Sequence, residues 1–156
     1  GTFITSDISE LVEIGLSEIP AQSRLSEVIK NTVSWSDSYD CWEDVWTLID
    51  KEYGHYDDVH VIKNAAMIIL GLLKGEGSFE RSIITTVLGG WDADCTGATA
   101  GSIAGLIIGA QALPDKWVGV FNDRLKTAVR DFEDVRLSEL ASKTLSIAQE
   151  SMRLSS

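Results

Sequence analysis

Four glycines recur at every fourth position near the middle of the chain, and this spacing restricts the possible folds more than any other feature. They are Gly97, Gly101, Gly105 and Gly109. An α-helix turns once in about 3.6 residues, so the four positions form a slowly drifting stripe along one face. Each glycine costs about 1 kcal/mol relative to alanine inside a helix, and close approach of another backbone would compensate for that cost. The stripe therefore predicts a central helix that is tightly packed by its neighbours.

The rest of the chain has helical periodicity as well. Predicted helix starts lie at Asp7, Ser23 or Ser26, Asp40, Asp58, Ser78, Pro114 and Ser138. Apolar residues spaced three and four apart follow these starts, and no segment alternates in the way that a half-buried strand does. No Asn-Gly or Asp-Gly pair indicates a hairpin. We predict an all-α fold, a compact orthogonal helical bundle around the glycine-rich helix.

Length and charge exclude several classes of protein. A chain of 156 residues is one domain by length. Its 13 basic residues are scattered and its net charge is −11, so it lacks the clustered Lys and Arg of a nucleic-acid-binding protein. Cys41 and Cys95 form neither a disulfide framework nor a zinc motif, which favours a cytoplasmic location. The uncharged stretch 95–113 lacks basic flanks, so we expect a buried helix there and no contact with a membrane.

Two aspartates lie directly before the glycine-rich helix. Asp92 and Asp94 follow the pair Gly89-Gly90 and precede Cys95 and Thr96. In one interpretation Asp94 is the N-cap of the helix and Asp92 interacts favourably with the helix dipole. In the other, the two carboxylates bind a hard cation, because Mg²⁺ selects carboxylate oxygens and completes its coordination with water and substrate.

The sequence around these aspartates resembles a known family of hydrolases. The stretch GGWDADCTGATAGSIAG, residues 89–105, is similar to the second metal motif of the ADP-ribosylglycohydrolases, which reads roughly GGDTDTxAAxAGAIAG. The segment ALPDKW, residues 112–117, resembles the "IPxxW" turn of that family. Ile19-Pro20 and the segment VHVIKNAA, residues 59–66, resemble bacterial members. The similarity extends in order over nearly the whole chain.

The chain departs from the family pattern at two places. The family has Thr after the second Asp, whereas this chain has Cys95, a soft ligand that is a poor partner for Mg²⁺. Thr96 is the alternative oxygen ligand. The glycine-rich opening, the acidic residue near it and the Thr-Asp-Asp metal motif of the family's N-terminal half have no counterpart. We therefore expect residues 1–156 to be the C-terminal part of such a domain, with the N-terminal half absent.

The resemblance implies a specific function. It implies a hydrolase that releases ADP-ribose from a protein or small-molecule conjugate with two Mg²⁺ ions bound by both halves of the domain. Asp92 and Asp94 would be the catalytic metal ligands, with Cys95 or Thr96 as a third ligand. Alone, the chain would supply half of the metal site and would be inactive. Its partners would be the ADP-ribosylated substrate and either the missing half or a second copy, bound through exposed apolar surface.

Three further residues are candidates for contact with substrate. His60 and Asn64 are four residues apart and share one face of a predicted helix, and the corresponding region of the family reaches toward substrate. Trp91, next to Asp92, would lie at the rim of a metal site. Each has a structural alternative, since a helical His commonly bonds to a neighbour and a Trp is commonly part of a core.

Two other functions remain open at this stage. One is a non-catalytic module that binds ADP-ribose or a nucleotide. The other is a structural helical domain in which the two aspartates only cap a helix. Binding of magnesium would exclude the structural domain, and turnover of an ADP-ribosylated substrate would exclude the non-catalytic module.

Overall fold

The structure of the chain is a computed structural model that describes residues 1–2 and 4–154. It divides into two compact units, Gly1–Ala112 and Leu113–Ser156, whereas the length of the chain predicts one domain. Each unit is described separately below.

The first unit consists of six α-helices. They are α1 (Ile8–Ser17), α2 (Arg24–Ser38), α3 (Trp42–Tyr53), α4 (Val61–Lys74), α5 (Phe79–Leu88) and α6 (Ala93–Ile108), followed by a 3-10 turn at Ala110–Ala112. Asp7, Ser23 and Ser78 are N-caps whose side chains accept a backbone N–H three residues later, as predicted. Two helices begin later than predicted, because the N-cap of α3 is Cys41 and that of α4 is His60.

Helix α4 is the most enclosed helix of this unit. It packs against α1, α2, α3, α5 and α6. The core consists of buried side chains of α2, α3 and α4, including Tyr53 at the end of α3. Its members are Val28, Val45, Ile49, Tyr53, Ile62, Ala66, Met67 and Leu70. Burial of these apolar side chains, each contributing roughly 1.5–3 kcal/mol, holds the three helices together.

The glycine-rich helix α6 packs on α5 and α4 through one face only. A Cβ atom added to Gly97 would lie 2.7 Å from Val87 Cγ2, and one added to Gly101 would lie 3.3 Å from Ile83 Cδ1. These two glycines therefore lie against side chains of α5 and not against the backbone that the stripe predicted. Gly109 is the C-cap of α6, and a Cβ atom there would meet nothing within 4 Å. The opposite side of α6, with Leu106, is exposed. The structure confirms the all-helical class and corrects one detail, since α4 and not α6 is at the centre of this unit.

The second unit contains two short helices, a two-stranded sheet and the long α8. Its elements are α7 (Asp115–Val118), a 3-10 turn at Gly119–Phe121, β1 (Arg124–Lys126), β2 (Asp134–Arg136) and α8 (Leu137–Leu154). The strands pair antiparallel, with Leu125 opposite Val135. This hairpin was not predicted. Its strands of three residues are too short to show alternation in the sequence, and the seven-residue connection lacks a two-residue turn motif.

Asp123 joins the hairpin to the start of α8. Its carboxylate accepts hydrogen bonds from the Ser138 hydroxyl at 2.7 Å and the Ser138 N–H at 2.8 Å, and from Arg136 Nε at 2.9 Å. These bonds, those from Ser138 first, lower the pKa of Asp123 from 3.8 to about 2. Within the described residues, no helix is both long enough and apolar enough to cross a membrane.

Candidate metal centre and its surroundings

The candidate centre lies in the loop between α5 and α6. Helix α5 ends at Leu88 with Gly89 as its C-cap, and both Gly90 and Trp91 have positive φ angles, 74° and 56°. A positive φ costs a non-glycine residue such as Trp91 on the order of 1–3 kcal/mol, so the surrounding contacts must hold this turn. The turn places Asp92 as the N-cap of α6 and Asp94 in its first helical turn.

Asp92, Asp94 and Cys95 form one cluster at this helix start. Each offers a ligand atom, and these atoms all lie within 4.8 Å of one another. Asp92 is half-buried, whereas Asp94 and Cys95 are exposed. The cluster is therefore small enough for one ion to contact all three groups and is open to solvent on one side.

The aspartates do not act as the capping interpretation predicts. The N-cap is Asp92 rather than Asp94, and the Asp92 side chain makes no capping hydrogen bond. The Asp92 φ and ψ angles of −83° and 58° depart from the extended conformation in which a cap side chain reaches the helix N–H groups. The carboxylate of Asp92 instead accepts a hydrogen bond from the Cys95 thiol.

The chemistry of the donor groups fits a hard cation only in part. Two carboxylates are what Mg²⁺ commonly takes from a protein, whereas a thiol is a soft ligand. The hydrogen bond to Asp92 raises the pKa of Cys95, and the negative charges of Asp92 and Asp94 raise it further. Thr96 lies on the buried face of α6 and donates a long hydrogen bond of 3.4 Å to the Ala93 carbonyl. The two carboxylates are therefore the groups suited to magnesium, and the third ligand stays a prediction.

An aromatic pair and a buried lysine surround the loop. The indole of Trp91 stacks on that of Trp46, with ring centroids 5.7 Å apart and planes inclined by 22°. Trp46 Nε1 donates to the Gly89 carbonyl at 2.9 Å. Lys63 Nζ lies 4.7 Å from the centroid of the Trp91 ring and bonds to Asp58 Oδ1 at 2.6 Å.

The comparison with known families decides the family to which the chain belongs. The sequence profile of the ADP-ribosylglycohydrolases (described as "ADP-ribosylglycohydrolase") matches residues 2–151, almost the full length of the chain. The chain belongs to the ADP-ribosylglycohydrolase family. Members of this family are hydrolases that act on ADP-ribose conjugates. Comparison with curated proteins and with solved structures gives no match.

The three residues predicted to contact substrate lie in three different settings. His60 is the N-cap of α4, its Nδ1 accepts the Ile62 N–H at 3.2 Å, and its ring stacks on Tyr56 at 4.4 Å. Among the described residues, His60 is not a member of the cluster formed by the two aspartates. The structure therefore gives His60 a local structural role, and its contact with substrate stays a prediction.

Asn64 and Trp91 differ from His60 in their burial and partners. Asn64 is only 7% exposed; its Nδ2 donates to the Asp58 carbonyl at 2.9 Å, and its Oδ1 has no hydrogen-bond partner among the described residues. Trp91 is half-buried and contacts Trp46 and Lys63. Sequence reasoning missed Lys63 and Trp46, although a lysine among the apolar residues that open α4 was a signal that it needed a partner.

An apolar groove of the first unit is separate from these residues. This groove of about 240 Å³ is lined by apolar side chains of α1, α2, α4 and α6. None of the predicted site residues lines it. The groove offers almost no hydrogen-bonding groups, so it is not suited to a ligand as polar as ADP-ribose.

Proposed function

We propose that this chain contributes Asp92 and Asp94 to a magnesium centre at which ADP-ribose is hydrolysed from a protein or small-molecule conjugate. The observation that carries the proposal is the 4.8 Å cluster in a family member, with an Asp92 carboxylate that is not used for capping. The chain would supply part of the ligand set, and other ligands would come from the rest of the enzyme.

The two aspartates have distinct positions in this proposal. Asp92 is half-buried at the end of a strained turn, so its carboxylate has little freedom and would hold an ion at a fixed place. Asp94 is exposed one residue into the helix and would complete the carboxylate pair. A bound magnesium would supply Lewis acidity toward the ribose hydroxyls and a nearby water. Half-buried Trp91 would limit access of bulk water from the side of the loop that it covers.

An apolar strip on α5 supports the view that another surface covers this region. Val87 and Leu88 follow Ile84 by three and four residues on the same side of α5. The three side chains, Ile84, Val87 and Leu88, are 42%, 43% and 63% exposed. The strip ends directly before the Gly89 loop. In this proposal the strip contacts either the remaining part of the enzyme or a second copy of the chain, and light scattering of the purified chain would show self-association.

Substitution of each aspartate by asparagine tests the proposal. Asp92 makes no capping hydrogen bond, Asp94 is not the N-cap, and Asn has nearly the same size as Asp, so Asp92→Asn and Asp94→Asn should keep the helical fold. Each should weaken magnesium binding, which calorimetry measures. In the complete enzyme each should also lower the rate of hydrolysis of an ADP-ribosylated substrate roughly a hundredfold or more.

Asp44→Asn is the matched control. Asp44 is an exposed aspartate in the first turn of α3 and takes no part in the cluster. It should bind magnesium and turn over substrate as the unchanged protein does. Full hydrolysis by the Asp92→Asn and Asp94→Asn proteins would refute the assignment, and magnesium binding without any turnover would favour the non-catalytic ADP-ribose-binding module.

A further inference from the structure

A buried lysine lies next to the loop that carries the aspartates. Lys63 is 1% exposed although it lies in the first turn of the largely apolar helix α4. A buried ammonium is unfavourable unless charged or polar groups surround it. Its partners are Asp58, 2.6 Å away, and the ring of Trp91, 4.7 Å away. Because the Asp58 side chain is 73% exposed, the ion pair joins the interior to the surface beside the loop.

The Trp91 backbone needs external support. Its φ of 56° is unfavourable for a side chain of this size. The stack on Trp46 holds the indole, and the Trp46 Nε1 bond to the Gly89 carbonyl holds the backbone two residues earlier. The ammonium of Lys63 adds a cation–π contact, whose strength increases when both groups are removed from water. The contact thus fixes the residue directly before Asp92.

We propose that Lys63 is a positioning residue for the metal centre, which through Trp91 holds the strained Gly90-Trp91 turn in the conformation that brings Asp92 and Asp94 together. This inference rests on the proposed magnesium-binding role of the two aspartates. Lys63 itself needs no contact with metal or substrate, because it acts by restricting the indole. Asp58 supports it by fixing the direction of the ammonium.

The experiment combines magnesium titration with a signal from the indole pair. Two stacked indoles produce an exciton couplet in the circular dichroism spectrum, and the Trp46–Trp91 pair is the source that we assign. Lys63→Met keeps the length of the side chain and removes the charge, and the exposed Asp58 carboxylate left behind is hydrated. We expect a weaker couplet, unchanged helix content and roughly tenfold weaker magnesium binding.

Three other variants separate positioning from a general loss of stability. Lys63→Arg keeps a cation over the ring and should restore magnesium affinity to within roughly threefold. Asp58→Asn removes the charge that faces Lys63 but keeps a side-chain oxygen that can accept from its ammonium, so it should fold and should weaken both signals in part. Lys74→Met is the matched control, since Lys74 lies at the other end of α4 and donates to the Ser36 and Tyr39 carbonyls. It should leave the couplet and the affinity unchanged.

The outcomes are distinct. Unchanged magnesium affinity in Lys63→Met overturns the positioning role, whether or not the couplet changes. If Lys63→Met does not fold, unchanged affinity in Asp58→Asn overturns it instead. If the complete enzyme with unchanged sequence binds no magnesium, the proposed function is overturned, and the couplet in the same samples still decides whether Lys63 orders Trp91.

Discussion

Helices α4 and α6 are both long and largely apolar, yet they occupy different positions in the first unit. Helix α4 buries eight of its 14 residues, and α6 buries four of 16. Helix α4 therefore needs neighbours on most of its faces, whereas one side of α6 is left to solvent. A glycine stripe lets a neighbouring helix approach one face but adds little volume to a core. Bulky apolar side chains on all faces of a helix, in contrast, require that the helix be enclosed.

Helix α4 also has a close contact with α5 at a glycine. A Cβ atom on Gly71 would lie 1.8 Å from Thr86 Oγ1 and 2.9 Å from the Ser82 carbonyl oxygen. The atom nearest to a Cβ on Gly101 of α6 is the flexible end of Ile83, at 3.3 Å. A single glycine in α4 is thus more restrictive than this member of the regular stripe.

The largest difference in stability between the two helices is expected for substitution of a leucine. Leu70 of α4 is 0% exposed and lies in the core, so Leu70→Ala should lower the free energy of unfolding by about 3 kcal/mol. Leu106 of α6 is 58% exposed, so the matched Leu106→Ala should change it by less than about 0.5 kcal/mol. Urea unfolding of the two proteins measures both values, and equal losses would show that α6 is as enclosed as α4.

A smaller effect is expected at the glycine of α4. Gly71→Ala gains about 1 kcal/mol of helix propensity but forces the methyl group against fully buried Thr86 and a backbone carbonyl. The net loss in the free energy of unfolding should be about 2 kcal/mol, measured in the same urea experiment. A Gly71→Ala protein as stable as the unchanged protein would mean that α4 and α5 can separate without cost.

The smallest effect is expected in the stripe and has the opposite sign. In Gly101→Ala the end of the Ile83 side chain has to move by only a few tenths of an ångström. The gain in helix propensity should then exceed the strain, and the free energy of unfolding should rise by about 0.5 kcal/mol. A loss of stability comparable to that of Gly71→Ala would show that α6 packs against α5 at Gly101 as closely as α4 does at Gly71.

Local signals in the sequence were read correctly where the structure depends on near neighbours. The N-caps Asp7, Ser23 and Ser78 were predictable because each side chain bonds to an N–H only three residues away. The motif around Asp92 and Asp94 was recognisable because both aspartates follow one short turn. The hairpin of β1 and β2 was missed, since strands of three residues carry too little pattern.

The helical class, the family and the pair of aspartates at a helix start were predictable from the amino-acid sequence. Those features depend on periodicity and on residues that are adjacent in the chain. Only the tertiary structure decided that α4 is the enclosed helix, that Asp92 is an N-cap without a capping bond, and that Lys63 lies over Trp91. Lys63 and Trp91 are 28 positions apart, and their contact arises from the packing of α4 beside α5 and α6, which no local pattern encodes.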